Sequence, residues 1–127
     1  MKLHTIFAVM AAVEASAGAA RAIAPGTTTS LLLGTELDAP AALVVLRMAG
    51  AALFSLGIVC WNARTDGASP AGRGVLAAML FYNAAVAALL AYAGAGVRAA
   101  GPALWPAVAL HAALTVWCGV CLRGPRP

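Results

Sequence analysis

Residues 41–61 read AALVVLRMAGAALFSLGIVCW, an apolar run that contains a single charge, Arg47. About 20 apolar residues are needed for an α-helix to cross the hydrocarbon core of a bilayer. An arginine inside such a helix is costly unless its head group reaches the interface or meets a partner. The run therefore predicts a transmembrane helix, and Arg47 directs the search toward polar groups on other helices.

The composition of the whole chain points the same way. Of its 127 residues, 63% are hydrophobic and 9% are charged, whereas soluble domains are about half apolar and a quarter charged. This excludes a soluble domain, and the length suits about four spans with short connections. We expect one membrane domain covering residues 1–127. Its spans are predicted at about residues 3–24, 41–61, 75–95 and 102–122.

The first predicted span has a rival interpretation as a secretory signal peptide. It follows Met1-Lys2 and contains the small residues 15–17, but Glu14 interrupts what would be the uncharged centre of such a peptide. We therefore expect the span to be retained. Pro25-Gly26 is expected to end it, and the connector that follows is long enough to hold a short interfacial helix.

The basic residues of the loops predict the orientation, because short cytoplasmic loops carry an excess of Lys and Arg. With four spans, one side of the membrane receives Lys2, Arg64, Arg73, Arg123 and Arg126. The other side receives Arg21, Arg98 and the acids Glu36 and Asp38. The sequence thus predicts an all-α, integral membrane four-transmembrane-helix bundle with both termini cytoplasmic, which makes it a multi-pass protein. Small residues in the spans favour close helix packing.

Four polar residues, one on each predicted helix, fall at a similar depth when 1.5 Å is counted per residue. They are Glu14, Arg47, Asn83 and His111. One interpretation is a buried Glu14–Arg47 ion pair, with the other two side chains hydrogen-bonded between helices. The alternative is a coupling site in which Glu14 changes protonation as a solute passes. In a third, Arg47 reaches the interface and Glu14 lines a contact between subunits. His111 is expected to bond a neighbouring helix, not to hold a haem or chlorin.

Three cysteines are expected near the cytoplasmic ends of their helices: Cys60, Cys118 and Cys121. The spacing of Cys118 and Cys121 allows dithiol exchange or soft-metal ligation. However, this pair closes a membrane helix, and no second pair completes a four-thiolate zinc site. Cysteine also packs as a small hydrophobe, so packing, redox chemistry and metal binding all stay open.

Two resemblances to known families can be named. Glu14 in the first of four spans resembles the small multidrug resistance transporters, which implies a dimer that exchanges protons for cations at that acid. Arg47 would repel a cationic substrate, however. The chain also resembles small four-helix bacterial membrane proteins of the DoxX-like kind. The residues that carry this resemblance are 47–50, Leu56-Gly57, Trp61 to Arg64, Tyr82-Asn83, and Trp105-Pro106 through His111. That resemblance implies a fold and a bacterial inner membrane, not an activity.

The sequence predicts a non-enzymatic accessory or scaffold subunit of a membrane assembly, with no cofactor. Its expected partners are the lipid bilayer and other membrane subunits or further copies of itself. The net charge of +4 comes from scattered residues, which does not suit nucleic acid. One alternative is a small proton-coupled transporter or permeation unit working as a homo-oligomer. The other is a thiol-redox or soft-metal protein at the inner membrane face.

Overall fold

The structure is a computed structural model that describes residues 3–124, and within this range it is all-helical. Lys2 and Arg126, which contribute to the predicted orientation, lie outside the described residues. Four of the five helices, α1, α3, α4 and α5, are long and apolar enough to cross a membrane. The helices are α1 (Leu3–Ile23), α2 (Pro25–Leu33), α3 (Pro40–Ala63), α4 (Pro70–Ala95) and α5 (Leu104–Arg123).

The polar connector before α4 is partly helical. Pro70 occupies the start of α4, where a missing N–H costs nothing, and the hydroxyl of Ser69 accepts a 3.0 Å hydrogen bond from the Gly72 amide. These two residues begin the helix before residue 75, where the apolar run alone placed the start of the span. Between α4 and α5, a turn precedes α5, so this helix begins at Leu104 and not at Pro102, where the sequence placed the start of the fourth span.

The short helix expected after the first span is present as α2. Pro25 begins it, and Gly34 ends it in the left-handed conformation with a φ of 72°, a common helix stop. The free carbonyl groups at the end of α2 accept hydrogen bonds from the loop between α4 and α5. Ala103 donates to the Leu31 carbonyl over 2.9 Å, and Ala100 donates to the Leu33 carbonyl over 3.3 Å. These bonds join α2 to that end of the bundle.

Helices α1 and α3 run antiparallel and touch backbone to backbone. A Cβ added to Gly50 would lie 2.6 Å from the Ala22 amide nitrogen, and one added to Gly57 would lie 2.9 Å from that of Ala15. Only glycine permits so close an approach at these two positions. Since lipid supplies no hydrophobic drive for helices to associate, such contacts are a main source of stability in membranes.

The bundle is packed unequally along its length. One continuous cluster of buried side chains fills the half that contains the start of α1 and the α3–α4 loop. In that half, Arg73 Nη2 also donates to the Leu122 carbonyl over 2.6 Å, which joins α4 to the end of α5. We call this the packed half. Its buried members are Ile6, Phe7, Met10, Ala11, Cys60, Leu76, Met79, Leu114 and Cys118.

Candidate functional site

The other half of the bundle contains a cavity of about 520 Å³, lined by all four long helices and by Leu32 of α2. Most of its wall is aliphatic, and its polar members are Glu14, Arg21, Tyr82 and His111. Two wall residues, Leu89 and Leu110, are 67% and 41% exposed. The cavity therefore opens at the side of the bundle, and we call it the crevice.

Glu14 lies where the crevice meets the packed half, and it is 1% exposed. Tyr82 Oη donates a 2.9 Å hydrogen bond to Glu14 Oε2, which links α1 to α4. The other oxygen, Oε1, is buried and has no hydrogen-bond partner among the described residues. A buried polar atom without a partner carries its full desolvation cost. This oxygen therefore needs either a proton of its own or a donor that the described residues do not supply, from a water or another bound molecule.

Asn83 and His111 form a second polar contact at this level, as the sequence predicted for helix-to-helix hydrogen bonding. Asn83 is fully buried, and its Nδ2 donates to the Met79 carbonyl over 2.7 Å. Its Oδ1 is then the acceptor for His111 Nδ1, which lies 2.7 Å away. This pattern assigns the ring proton of a neutral His111 to Nδ1 and leaves Nε2 as an acceptor.

The aromatic ring of Tyr82 connects the two contacts. It meets the His111 ring edge to face, with 6.0 Å between the ring centroids. Glu14, Tyr82, Asn83 and His111 therefore form one continuous polar layer across α1, α4 and α5. Because Asn83 holds His111 and Tyr82 holds Glu14, these two side chains keep defined positions in the wall of the crevice.

Arg47 does not belong to this layer, which corrects the expected Glu14–Arg47 pair. Arg47 is exposed, and its Nε donates to the Ala22 carbonyl over 3.3 Å. Ala22 lies about 12 Å further along α1 than Glu14 at 1.5 Å per residue. The close contacts of Gly50 and Gly57 with α1 determine this register. Counting depth from span ends could not reveal it.

Two members of the site were missed from the sequence. Arg21 lines the crevice seven residues after Glu14, a spacing that places both on one face of α1. It had been assigned to the loop that determines orientation. Tyr82 directly precedes Asn83, and its hydroxyl is the polar group that meets Glu14. The i+7 spacing was a usable signal for Arg21, whereas the partner of Tyr82 depends on helix packing.

The cysteines lie away from the crevice. Cys60 and Cys118 are fully buried in the packed half, while Cys121 is half-buried beside it. Between residues 3 and 124, no group of three or more His, Cys, Asp or Glu side chains is arranged to hold a metal ion. The structure therefore does not assemble the three thiols into the metal site considered from the sequence.

The fold and the site define a class: an α-helical bundle with four helices able to span a membrane and a buried carboxyl group at the base of a side-opening crevice. No protein-family model, no curated protein and no solved structure matches the chain. The resemblances to the DoxX-like proteins and to the small multidrug resistance transporters stay predictions.

Proposed function

We propose that this chain is a multi-pass protein of a bacterial inner membrane that binds a small solute in the crevice in exchange for a proton on Glu14. The observation that carries the proposal is the carboxyl group of Glu14, which lines the crevice and whose buried Oε1 has no hydrogen-bond partner among residues 3–124. Intramembrane carboxyl groups are expensive to bury and commonly serve ion or solute pathways.

The wall of the crevice indicates the chemistry of the solute. About 520 Å³ is within the usual range of small-molecule sites, roughly 300–1,000 Å³. Aliphatic side chains such as Leu53, Val86 and Leu90 favour an apolar body, and Oε1 of Glu14 requires a hydrogen-bond donor. The proposed solute is therefore small and mostly apolar, with one neutral donating group such as a hydroxyl, because Arg21 in the same wall would repel a cation.

Proton coupling follows from competition for one atom. Oε1 can be satisfied by a proton on the carboxyl group or by the donor of the solute, so binding of the solute favours release of the proton. By linkage, protonation weakens solute binding by the same factor. Tyr82 supports the exchange because its hydroxyl stays on Oε2 in either state and holds the carboxyl group in position.

The charges of the loops support an orientation for the proposal. Arg64 directly follows α3, Arg73 lies in the first turn of α4, and Arg123 ends α5. All three therefore lie at the packed end of the bundle. The positive-inside rule then places that end in the cytoplasm and the crevice toward the periplasm. Fusion of a reporter after Gly124 that is active only in the cytoplasm tests this orientation, and activity of a periplasmic reporter there would reverse it.

Native mass spectrometry of protein extracted gently from its own membrane tests solute binding. We expect a small-molecule adduct on the wild-type chain that is lost in Glu14→Gln. Ala52→Leu, which fills part of the wall, should also lose it. The matched control is Ala51→Leu, since Ala51 is an exposed neighbour that does not line the crevice. An adduct retained equally in all three variants, or absent from wild type, would contradict the proposal.

A second candidate is the accessory subunit predicted from the sequence, and one observation favours it. An outward groove of about 380 Å³ between α1 and α3 is lined almost entirely by small or apolar residues, a surface suited to a transmembrane helix of another subunit. Ala12→Leu would fill this groove, whereas Ala77→Leu adds the same bulk to an exposed position on α4. Loss of a co-purifying membrane chain in Ala12→Leu alone would support the accessory role. Unchanged native mass in both variants would contradict it.

A further inference from the structure

Four sulfur-containing side chains, one from each long helix, are buried in the packed half. Met10, Cys60 and Cys118 are fully buried and Met79 is 2% exposed. All four belong to one continuous cluster of buried side chains. From these positions we propose that they form a site for a monovalent soft metal ion, Cu(I), independent of the crevice and of the solute proposed for it.

The helix registers place the four residues at one level. Gly57 packs against Ala11 and Ala15, so Cys60 of the antiparallel α3 lies opposite Met10. Tyr82 of α4 donates to Glu14 of α1, so these two residues lie at the same level. Met79 and Met10 each lie about one helical turn closer to the packed end, on α4 and α1 respectively.

The contact to α5 is direct. Cys118 Sγ lies 3.7 Å from Met10 Sδ, and the thiol donates to the thioether. Metal–sulfur bonds of about 2.3 Å place two sulfurs bound to one ion at most about 4.6 Å apart. This pair is therefore already separated by a distance that two ligands of one metal ion can have.

The donor set selects the ion. Thiolate and thioether sulfurs are soft ligands that favour Cu(I), whereas Mg²⁺ and Ca²⁺ require oxygen. Binding replaces the proton of one cysteine thiol with Cu(I), and that proton leaves to solvent. The product is Cu(I) bound by one thiolate and the two thioether sulfurs, with the second cysteine still protonated beside them, and it carries no net charge. Neutrality matters because an uncompensated charge in an apolar core is costly.

The test is anaerobic titration of the purified full-length protein with Cu(I) in competition with bicinchoninate, a chromophoric Cu(I) chelator. We expect one Cu(I) per chain, with at least a tenfold loss of affinity in Cys60→Ala and in Cys118→Ala. Met10→Leu should weaken binding less, since three sulfurs stay in place. Cys121→Ala and Met48→Leu are matched controls, because Cys121 is only half-buried beside the cluster and Met48 is 67% exposed. Both should bind as wild type does.

X-ray absorption at the copper edge of the wild-type protein provides a readout that needs no variant. A first shell of three or four sulfurs is expected. Failure of wild type to compete with the chelator, nitrogen or oxygen ligands in that shell, or unchanged affinity in the Cys60→Ala/Cys118→Ala double variant would each overturn the proposal. In the last case, the four sulfurs are core packing only.

Discussion

Tyr82 Oη donates to Glu14 Oε2 over 2.9 Å, while Oε1 of the same carboxyl group is buried and has no partner in the described part of the chain. This half-satisfied carboxyl group at the base of the crevice distinguishes the site from a structural contact in which both oxygens are paired. It also makes Tyr82 the residue that holds Glu14 in position.

Tyr82→Phe should therefore destabilise the bundle. Within residues 3–124, Tyr82 is the only donor to Glu14, so the change leaves both carboxyl oxygens buried without a partner from this range, which costs about 1–3 kcal/mol. Unfolding in mixed detergent micelles measures the loss. The control is Tyr92→Phe, which removes a hydroxyl from a side chain that is 67% exposed. Equal stability of the two variants would show that the Tyr82 bond contributes nothing.

Arg47 and Glu14 should act independently. Since Arg47 bonds the Ala22 carbonyl, the losses in Arg47→Leu and Glu14→Gln are expected to add within about 0.5 kcal/mol. A double-mutant cycle on the free energy of unfolding measures the coupling. Partial recovery of stability in the double variant would instead support the buried Glu14–Arg47 ion pair that the sequence predicted.

The contact between α1 and α3 should tolerate no added methyl group. Gly50→Ala places a Cβ against the backbone of Ala22, and we expect a loss of roughly 1–3 kcal/mol. Gly74→Ala is the matched control, because a Cβ there meets nothing within 4 Å. It should be neutral or stabilising by up to about 1 kcal/mol. The same unfolding assay compares the two, and equal behaviour would contradict the close approach.

A hydrophobic carbodiimide should label Glu14 selectively. Such reagents add to protonated carboxyl groups in apolar surroundings, and the other acids of the chain, Glu36, Asp38 and Asp66, are exposed. Peptide mass analysis should find the adduct at Glu14 in wild type and in Ala51→Leu. Labelling should be reduced in Ala52→Leu, which narrows the crevice. Equal labelling of both variants would show that the reagent reaches Glu14 by another route.

Much of the fold was predictable because it depends on local properties of the chain. Apolar runs of sufficient length, interrupted by Pro and Gly, predict helices with membrane dimensions, and the structure has four of them. The short helix between Pro25 and Gly34 could also be predicted, because backbone chemistry favours proline at the start of a helix and glycine at its end. Glu14, Asn83 and His111 stood out because polar groups are rare in such runs.

Partner choice, in contrast, was decided by tertiary structure. Whether Glu14 meets Arg47 or Tyr82 depends on how far α3 is shifted along α1, and the backbone contacts at Gly50 and Gly57 determine that shift. A shift of two turns moves a side chain by about 11 Å, more than the length of any hydrogen bond. The sequence by itself determined which residues are costly to bury. Only the packing of the helices decided which of them meet, and that one oxygen of Glu14 receives no hydrogen bond from the residues that the structure describes.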